Sequence, residues 1–427
     1  MILSTPLSAQ GMSVSVTDDI QPQHSTRTPV YKNPFITRGT PTFIRVTLAL
    51  FSAGLATFAL LYCVQPILPV LSQVFGVSPA TSSLSLSVST MTMAVGLLFT
   101  GPLSDTIGRK NVMVVSLLLA SVCTLIGSMM TNWAGLLAMR ALVGLSLSGV
   151  AAVAMTYLSE EIHPSVVAFS MGLYISGNSI GGMSGRLLTG VITDFSNWRV
   201  STACIGVVAL LASVTFWRIL PDSRHFRAGS LRPKTLWINA RLHWRDAGLP
   251  LLFAEGFLLM GTFVTLFNYI GYRLLGAPYN LSQTVVGLLS VVYLTGSYAS
   301  PRAGAMIARF GRGPVLVGSI ALMLSGLLLT LFSSLPVMFV GMMLFAAGFF
   351  ASHSVASSWI GVRALRARGQ ASSQYLFCYY LGSSLAGTSG GFFWYHYGWT
   401  GLVLYLSCLL MLALWIGFKL KSLKNKV

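Results

Sequence analysis

Gly101, Pro102, Leu103, Ser104, Asp105, Thr106, Ile107, Gly108, Arg109 and Lys110, read together as GPLSDTIGRK, make a short charged turn between two apolar runs. The runs, residues 82–102 and 112–130, each hold about the 20 residues a helix needs to cross a hydrocarbon core of about 30 Å. A tight turn carrying Asp105, Arg109 and Lys110 between them reads as the connection of two membrane-spanning helices at one face. Working outward, the same alternation of apolar run and polar break predicts ten further spans, at about 46–72, 134–157, 166–190, 200–220, 249–273, 283–302, 314–333, 336–358, 372–395 and 400–419.

With twelve spans, the even-numbered connections and both termini share one face, and the basic residues gather there. Arg27, Lys32, Arg38 and Arg45 precede the first span, and Arg109 and Lys110 follow the second. Arg218, Arg224, Arg227, Arg232, Lys234, Arg241 and Arg245 crowd the middle loop. Arg302, Arg309 and Arg312, then Arg363, Arg366 and Arg368, follow the eighth and tenth spans, and Lys419, Lys421, Lys424 and Lys426 close the chain. Twenty-three of the 27 Lys and Arg thus lie on one side, which marks it as cytoplasmic. The net charge of +18 follows from this topology, so no nucleic-acid partner is expected.

Hydrophobic residues make up 54% of the chain and charged ones 8%, a balance that excludes an ordinary soluble surface. Cys63, Cys123, Cys204, Cys378 and Cys408 fall singly in apolar runs, with no spacing for a metal site or a disulfide framework. No cofactor is expected. The polar first 43 residues show no cleavable secretory signal, so the first span reads as an uncleaved insertion signal. The expected plan is a disordered cytoplasmic tail over 1–43, a six-helix bundle over 44–220, a basic cytoplasmic linker over 221–248, a second six-helix bundle over 249–419 and a cytoplasmic tail over 420–427.

The two halves repeat one another at an offset of about 200 residues. LFSAG at 50–54 is matched by LFAEG at 252–256, GPLSDTIGR at 101–109 by GAMIARFGR at 304–312, and GNSIGGMSG at 177–185 by GSSLAGTSG at 382–390. These residues resemble the major facilitator superfamily over about 42–420. The turn at Gly101–Lys110 is similar to that family's most specific signature at its Gly, Leu, Asp, Gly, Arg and Lys positions. Arg140 followed by Gly144 resembles a second signature, although Val143 stands where Gln is usual. Gly172, Gly177, Gly181 and Gly182 resemble the glycine-rich antiporter signature, whose Gly-Pro pair is here Gly177-Asn178. The stretches from Thr42 through the first helices and from Met155 to Arg186 look like exporter-type members of bacterial inner membranes. The resemblance implies an all-α integral membrane fold of 12 transmembrane helices in two pseudo-symmetric six-helix bundles, rocking about a midplane cavity.

On that resemblance Gly101, Asp105, Gly108, Arg109 and Lys110 form a conformational gate, with Asp105 meeting the start of the eleventh helix in one state. A carboxylate at a positive helix end contributes on the order of 1 kcal/mol. A plain solvated turn is the competing reading. Ala308 stands where the second half would carry the acid, so the gate contact is expected on one side only.

Glu255 is the one acid of nine that falls inside a predicted span. Burial at depth disfavours its charge, which suits a proton carrier. Steps of four and three put Leu259, Thr262, Leu266, Tyr269 and Arg273 on its face, a pattern for a helix bordering a water-filled cavity. Alternatively Glu255, about 9 Å inside the boundary, reaches a basic loop residue. His353 lies at nearly the same depth, as a relay partner or as a histidine hydrogen-bonded to a neighbour. Arg140 joins Glu255 and His353 as a proton-coupling candidate, polarising the cavity; Arg186 either needs a partner or snorkels outward. Tyr62 and Gln65, with Pro66 and Pro69 bending the first helix, are candidates for the substrate cavity together with Thr262 and Tyr269. Gly177, Gly181, Gly182, Gly382 and Gly387 are expected to pack helices closely at the interface between halves.

The expected function is a secondary transporter exporting a small molecule in exchange for protons, active as a monomer in a lipid bilayer. Proton symport or facilitated passage of a sugar, an amino acid or an organic anion is the nearest alternative. No GxxxxGK[ST] motif supports an ATP-driven pump, and the acids are too scattered for a membrane acyltransferase. No enzyme activity is therefore expected. A receptor would carry a large soluble domain.

Overall fold

The computed structural model describes residues 35–225 and 233–423. The expected tails beyond residues 35 and 423 and the linker stretch 226–232 lie outside the described residues. The described residues are almost all helical, as α1 (Pro41–Tyr62), α2 (Leu68–Phe75), α3 (Pro79–Ile107), α4 (Arg109–Ser128), α5 (Trp133–Glu161), α6 (Pro164–Phe195) and α7 (Trp198–Ile219) in the first half. The amphipathic helix α8 (Pro233–Arg245) occupies the linker. The second half holds α9 (Leu249–Leu275), α10 (Gln283–Leu288), a 3-10 turn (Leu289–Tyr293), α11 (Leu294–Phe310), α12 (Arg312–Leu329), α13 (Leu335–Arg363) and α14 (Arg368–Ser422).

Local chemistry sets the starts of these helices. Thr40, Ser78, Asn132, Asn197 and Ser282 each accept a hydrogen bond from a first-turn backbone amide, and Pro41 and Pro79 stand in the first turn where no amide partner is needed. Among the described residues nine helices are long and apolar enough to cross a membrane. Phe99, Val115, Leu211, Leu404 and Trp415 are all more than half exposed, as lipid-facing side chains should be.

The expected spans fall on these helices with three differences. The first is not one helix, since α1 ends at Tyr62 and α2 resumes at Leu68 around Pro66. The eighth is α10 and α11 joined through the 3-10 turn. The last two run together as the 55 residues of α14, broken at Gly398, whose φ of 61° and ψ of −155° no helical residue adopts.

The internal repeat is visible in the backbone. Gly108 (φ 96°, ψ 145°) separates α3 from α4, and Gly311 (φ 82°, ψ 166°), its match in the repeat, separates α11 from α12 in the same conformation. The helix pairs match too. A Cβ at Gly177 or Gly181 would strike the backbone of Phe51 or Leu55 in α1, and one at Gly382 would strike Phe257 in α9. This corrects the expectation that these glycines pack across the halves: the close approaches of α6 to α1 and of α14 to α9 lie within each half. Gly182 faces Arg186 and Phe58, whereas Gly387 does lie at the seam, 3.3 Å from Asn268 Nδ2 and 3.6 Å from Ser87 Oγ if given a Cβ.

At the basic face, Ile36 is laid against the end of α5, its amide donating to Glu161 O at 2.9 Å and its carbonyl accepting from His163 N at 3.0 Å. Glu161 in turn accepts from Ser223 Oγ and His225 N, each at 2.8 Å.

Candidate transport pathway

The break between α1 and α2 is where the polar chemistry collects. A helix ending inside a membrane leaves carbonyls without amides, which is costly without other donors. Arg140 of α5 supplies them. Its Nη1 and Nη2 donate to Leu60 O and Leu61 O at 2.9 and 2.6 Å, and its Nε donates to Ser85 O of α3 at 2.9 Å. The side chain expected to polarise a cavity therefore holds α1, α3 and α5 together, and it is buried.

Beyond the break, Gln65 donates through Nε2 to Asn268 Oδ1 of α9 at 2.7 Å, joining the two halves. Its Oε1 accepts from Arg186 Nε at 2.6 Å. Arg186 is 4% exposed, so it does not snorkel outward. Its guanidinium carbon lies 4.2 Å from the ring centre of Tyr62 and 4.8 Å from that of Tyr293. Further seam contacts are Thr90–Ser384 at 2.7 Å, Ser87–Thr388 at 2.9 Å and Tyr272 Oη to Leu68 O at 3.0 Å. Ser290 Oγ donates to Met183 O at 3.1 Å. Asp194 caps α10 by accepting from Gln283 N and Thr284 N at 2.9 and 2.7 Å. Burial pushes the Asp194 carboxyl up, but the bonds from Thr284, Ser282 and Gln283 outweigh it and hold the group below the usual carboxylate range. These contacts lie toward the face opposite the basic one.

Of the expected cavity residues, Tyr62 lies under Arg186 and Gln65 joins the halves. Tyr269 donates to Gly387 O at 2.9 Å, and Thr262 bonds its own helix at Leu258 O at 2.7 Å. Leu259, Thr262, Leu266 and Tyr269 are fully buried, so the face expected to border water is packed against protein in this conformation.

Glu255 is also fully buried, and neither carboxylate oxygen has a hydrogen-bond partner among the described residues. Among the described residues, no basic loop residue pairs with it. It sits within the second half, where a Cβ on Gly417 of α14 would lie 3.7 Å from its Oε1. The neighbouring Gly256 makes room for Tyr375, whose ring edge a Cβ there would meet at 2.6 Å. Tyr375 shares a hydrogen bond of 2.8 Å with His353 Nδ1. His353 and Glu255 share no hydrogen bond, and the partner of His353 is Tyr375.

Tyr375, Tyr293, Asn268 and an aromatic wall were not singled out from sequence. Phe263 stacks on Phe349 at 3.9 Å and meets Tyr293 at 5.2 Å, Phe349 stacks on His353 at 5.9 Å, and His353 meets Tyr379 at 4.7 Å. An Asn within an apolar span was the available signal for Asn268. The aromatic positions carried none, since aromatics are common in spans.

At the basic face, Asp105 pairs with Arg109 one turn on. Arg109 also grips Glu160 of α5 through Nε and Nη2 at 3.1 and 2.8 Å, and Lys110 meets Asp222 at 3.1 Å. Gly101 lies in α3 with open space beside it, and Gly108 makes the turn.

Residues 49–278 match the family model described as Major Facilitator Superfamily. The chain is 69% identical over 388 residues to the inner membrane transport protein YnfM of Escherichia coli (strain K12), across 91% of this chain and 93% of that one. It is 45% identical to the uncharacterized MFS-type transporter YybF of Bacillus subtilis (strain 168), across 91% and 97%. Among solved structures, a mutant of the nucleoside transporter NupG superposes with a TM-score of 0.73 at 13% identity, covering 88% of this chain and 99% of that one. A bacterial homolog of the human lysosomal transporter Spinster does so with a TM-score of 0.72 at 14% identity, covering 90% and 97%.

Proposed function

Because the chain belongs to the Major Facilitator Superfamily, we propose that it exports small organic molecules from the cytoplasm in exchange for protons. That it is a multi-pass inner-membrane protein and a secondary transporter follows from the family and its relatives.

The observation that carries it is Glu255. A carboxylate with both oxygens unpartnered, in a fully buried site, is tolerable only with its proton on. The same group in a conformation that admits water would ionise. A residue forced between those states by packing is a proton carrier, and its release is tied to the conformational change that opens its surroundings. Gly417 packs beside Glu255, and Tyr375, lodged against the neighbouring Gly256, is hydrogen-bonded to His353 at the aromatic wall. Both termini and the basic loops stand on the cytoplasmic side in this reading, so the seam contacts close the outer side. The membrane potential offers about 2.3 kcal/mol per charge per 100 mV to drive proton entry.

The test uses acidified inside-out vesicles containing the full chain, a pH-sensitive dye in the lumen, and panels of organic cations, anions, sugars and amino acids. Compound-triggered proton release is expected in the wild type and its loss in Glu255→Gln. Release that persists in the variant removes Glu255 from the coupling path. Labelled solute that crosses without moving protons replaces antiport by facilitated passage.

A further inference from the structure

The polar cluster at the seam is short of acceptors. Arg186 donates through Nε to Gln65 and through Nη1 to Gly182 O at 2.6 Å, which leaves Nη2 without a hydrogen bond among the described residues. Because Arg186 can only donate, Gln65 must turn its oxygen toward it and its amide nitrogen toward Asn268. Asn268 therefore presents its oxygen to Gln65 and is left with Nδ2 buried and unpartnered. The hydroxyl of Tyr293, whose ring flanks Arg186, is buried and unpartnered as well. Three groups able to donate thus stand unsatisfied in one network.

The network also carries an uncompensated charge. The acid–base pairs among the described residues take up Arg109, Lys110, His225 and Arg363, and Arg186 has no carboxylate. Arg140, the other deeply buried arginine of the first half, is matched by three backbone carbonyls; Arg186 has one carbonyl and one amide oxygen. Aromatic faces offset part of a cation's charge, and those of Tyr62 and Tyr293 are contributed by opposite halves. A buried cation needs carbonyls or a counter-charge, and Arg186, with one carbonyl, is short of both. The surroundings say what kind of body brings it, since Tyr293 continues into Phe267 at 5.0 Å, Phe263 at 5.2 Å and Phe350 at 5.8 Å.

We propose that Arg186, flanked by Tyr62 and Tyr293 and supported by Asn268, is an anion-recognition subsite of the pathway, and that its ligands are carboxylates carried on a planar aromatic body. The assignment of these ligands as exported substrates rests on the transport reading above; the site itself does not.

The experiment compares equilibrium binding of labelled 1-naphthoate and its uncharged partner 1-naphthamide to the purified full chain in lipid nanodiscs. Wild type is expected to prefer the carboxylate by about tenfold or more, the ratio that 1.4 kcal/mol produces. Arg186→Gln should collapse the ratio to about one while 1-naphthamide binding persists. Tyr293→Leu should weaken both probes together and keep the ratio. Equal binding of both probes by wild type, or binding of neither, overturns the proposal without any variant. So does a ratio that survives in Arg186→Gln protein eluting as wild type does. Intact charge selectivity in vesicles where 1-naphthoate releases no protons counts against antiport and leaves the subsite standing.

Discussion

Three buried ionisable groups among the described residues are settled in three different ways, and the differences decide what each can do. Arg140 is spent on backbone carbonyls, Arg109 on carboxylates, and Glu255 on nothing. The first two are positioning residues. On the proposed reading, only the third changes its protonation as its surroundings change. Asp246, at the basic face, offers a titration that can be read directly. It caps α9 through Gly248 N and Leu249 N, each at 2.8 Å, and pairs with Arg363 at 2.5 Å. Burial pushes its carboxyl up, yet the Arg363 guanidinium and the two amides outweigh that and hold it below its ordinary value. A depressed folded-state pKa means stability that is present above the unfolded value of about 3.9 and lost as pH falls through the lower folded value. Asp246→Asn should therefore melt below wild type at pH 6, and the two midpoints should converge as the pH drops below about 4. A constant gap across pH 6 to 3 would show that the carboxylate's charge is not what fastens the start of α9 to the end of α13.

The helices themselves were largely readable from apolar length, and so was the glycine turn after the second span, because such a turn needs a residue type that sequence displays. Gly108 and Gly311 illustrate this: one motif, repeated at an offset of 203 residues, yields one backbone conformation twice. That conformation lies at positive φ with extended ψ, a region essentially restricted to glycine. Gly108→Ala and Gly311→Ala should each cost about 1–3 kcal/mol, whereas Gly101→Ala and Gly304→Ala, on helical backbone with open space beside them, should be neutral or gain up to about 1 kcal/mol. Chemical or thermal unfolding in detergent measures all four. Equal losses at Gly101 and Gly108 would mean that packing, rather than backbone geometry, explains the glycines. What sequence did not display was which neighbour each buried residue meets. The glycines of α6 and α14 announce a close approach but not its partner, which proved to be the first helix of the same half. Gln65, Arg186 and Asn268 are 121 and 203 residues apart along their hydrogen-bonded chain, and no local pattern records such a pairing.

At the scale of the molecule, the seam between halves is fastened by small hydroxyls and amides on the side away from the basic face. Such bonds contribute only about 0.5–1.5 kcal/mol each, so several of them hold a closed side without making it permanent. Transport by alternating access requires that this side part. Ser87 of α3 and Thr388 of α14 provide the means to ask, with their oxygens 2.9 Å apart across the seam. The five native cysteines are free, and with each replaced by alanine a Ser87→Cys, Thr388→Cys pair would be the only thiols. Oxidation should join the halves at that point. If the seam opens in every cycle, compound-driven proton release in vesicles should stop on oxidation and return fully with a reductant, while either single-cysteine variant stays insensitive to both. If the cross-linked protein runs at the uncrosslinked rate, the halves do not separate there, and the polar seam is static scaffolding around a pathway that opens elsewhere. Placing the thiols one seam contact deeper, at Thr90 and Ser384, whose oxygens are 2.7 Å apart, then locates the pivot. A cross-link tolerated at the deeper pair and not at the outer one puts the rocking axis near the former, with the outer contacts travelling farthest.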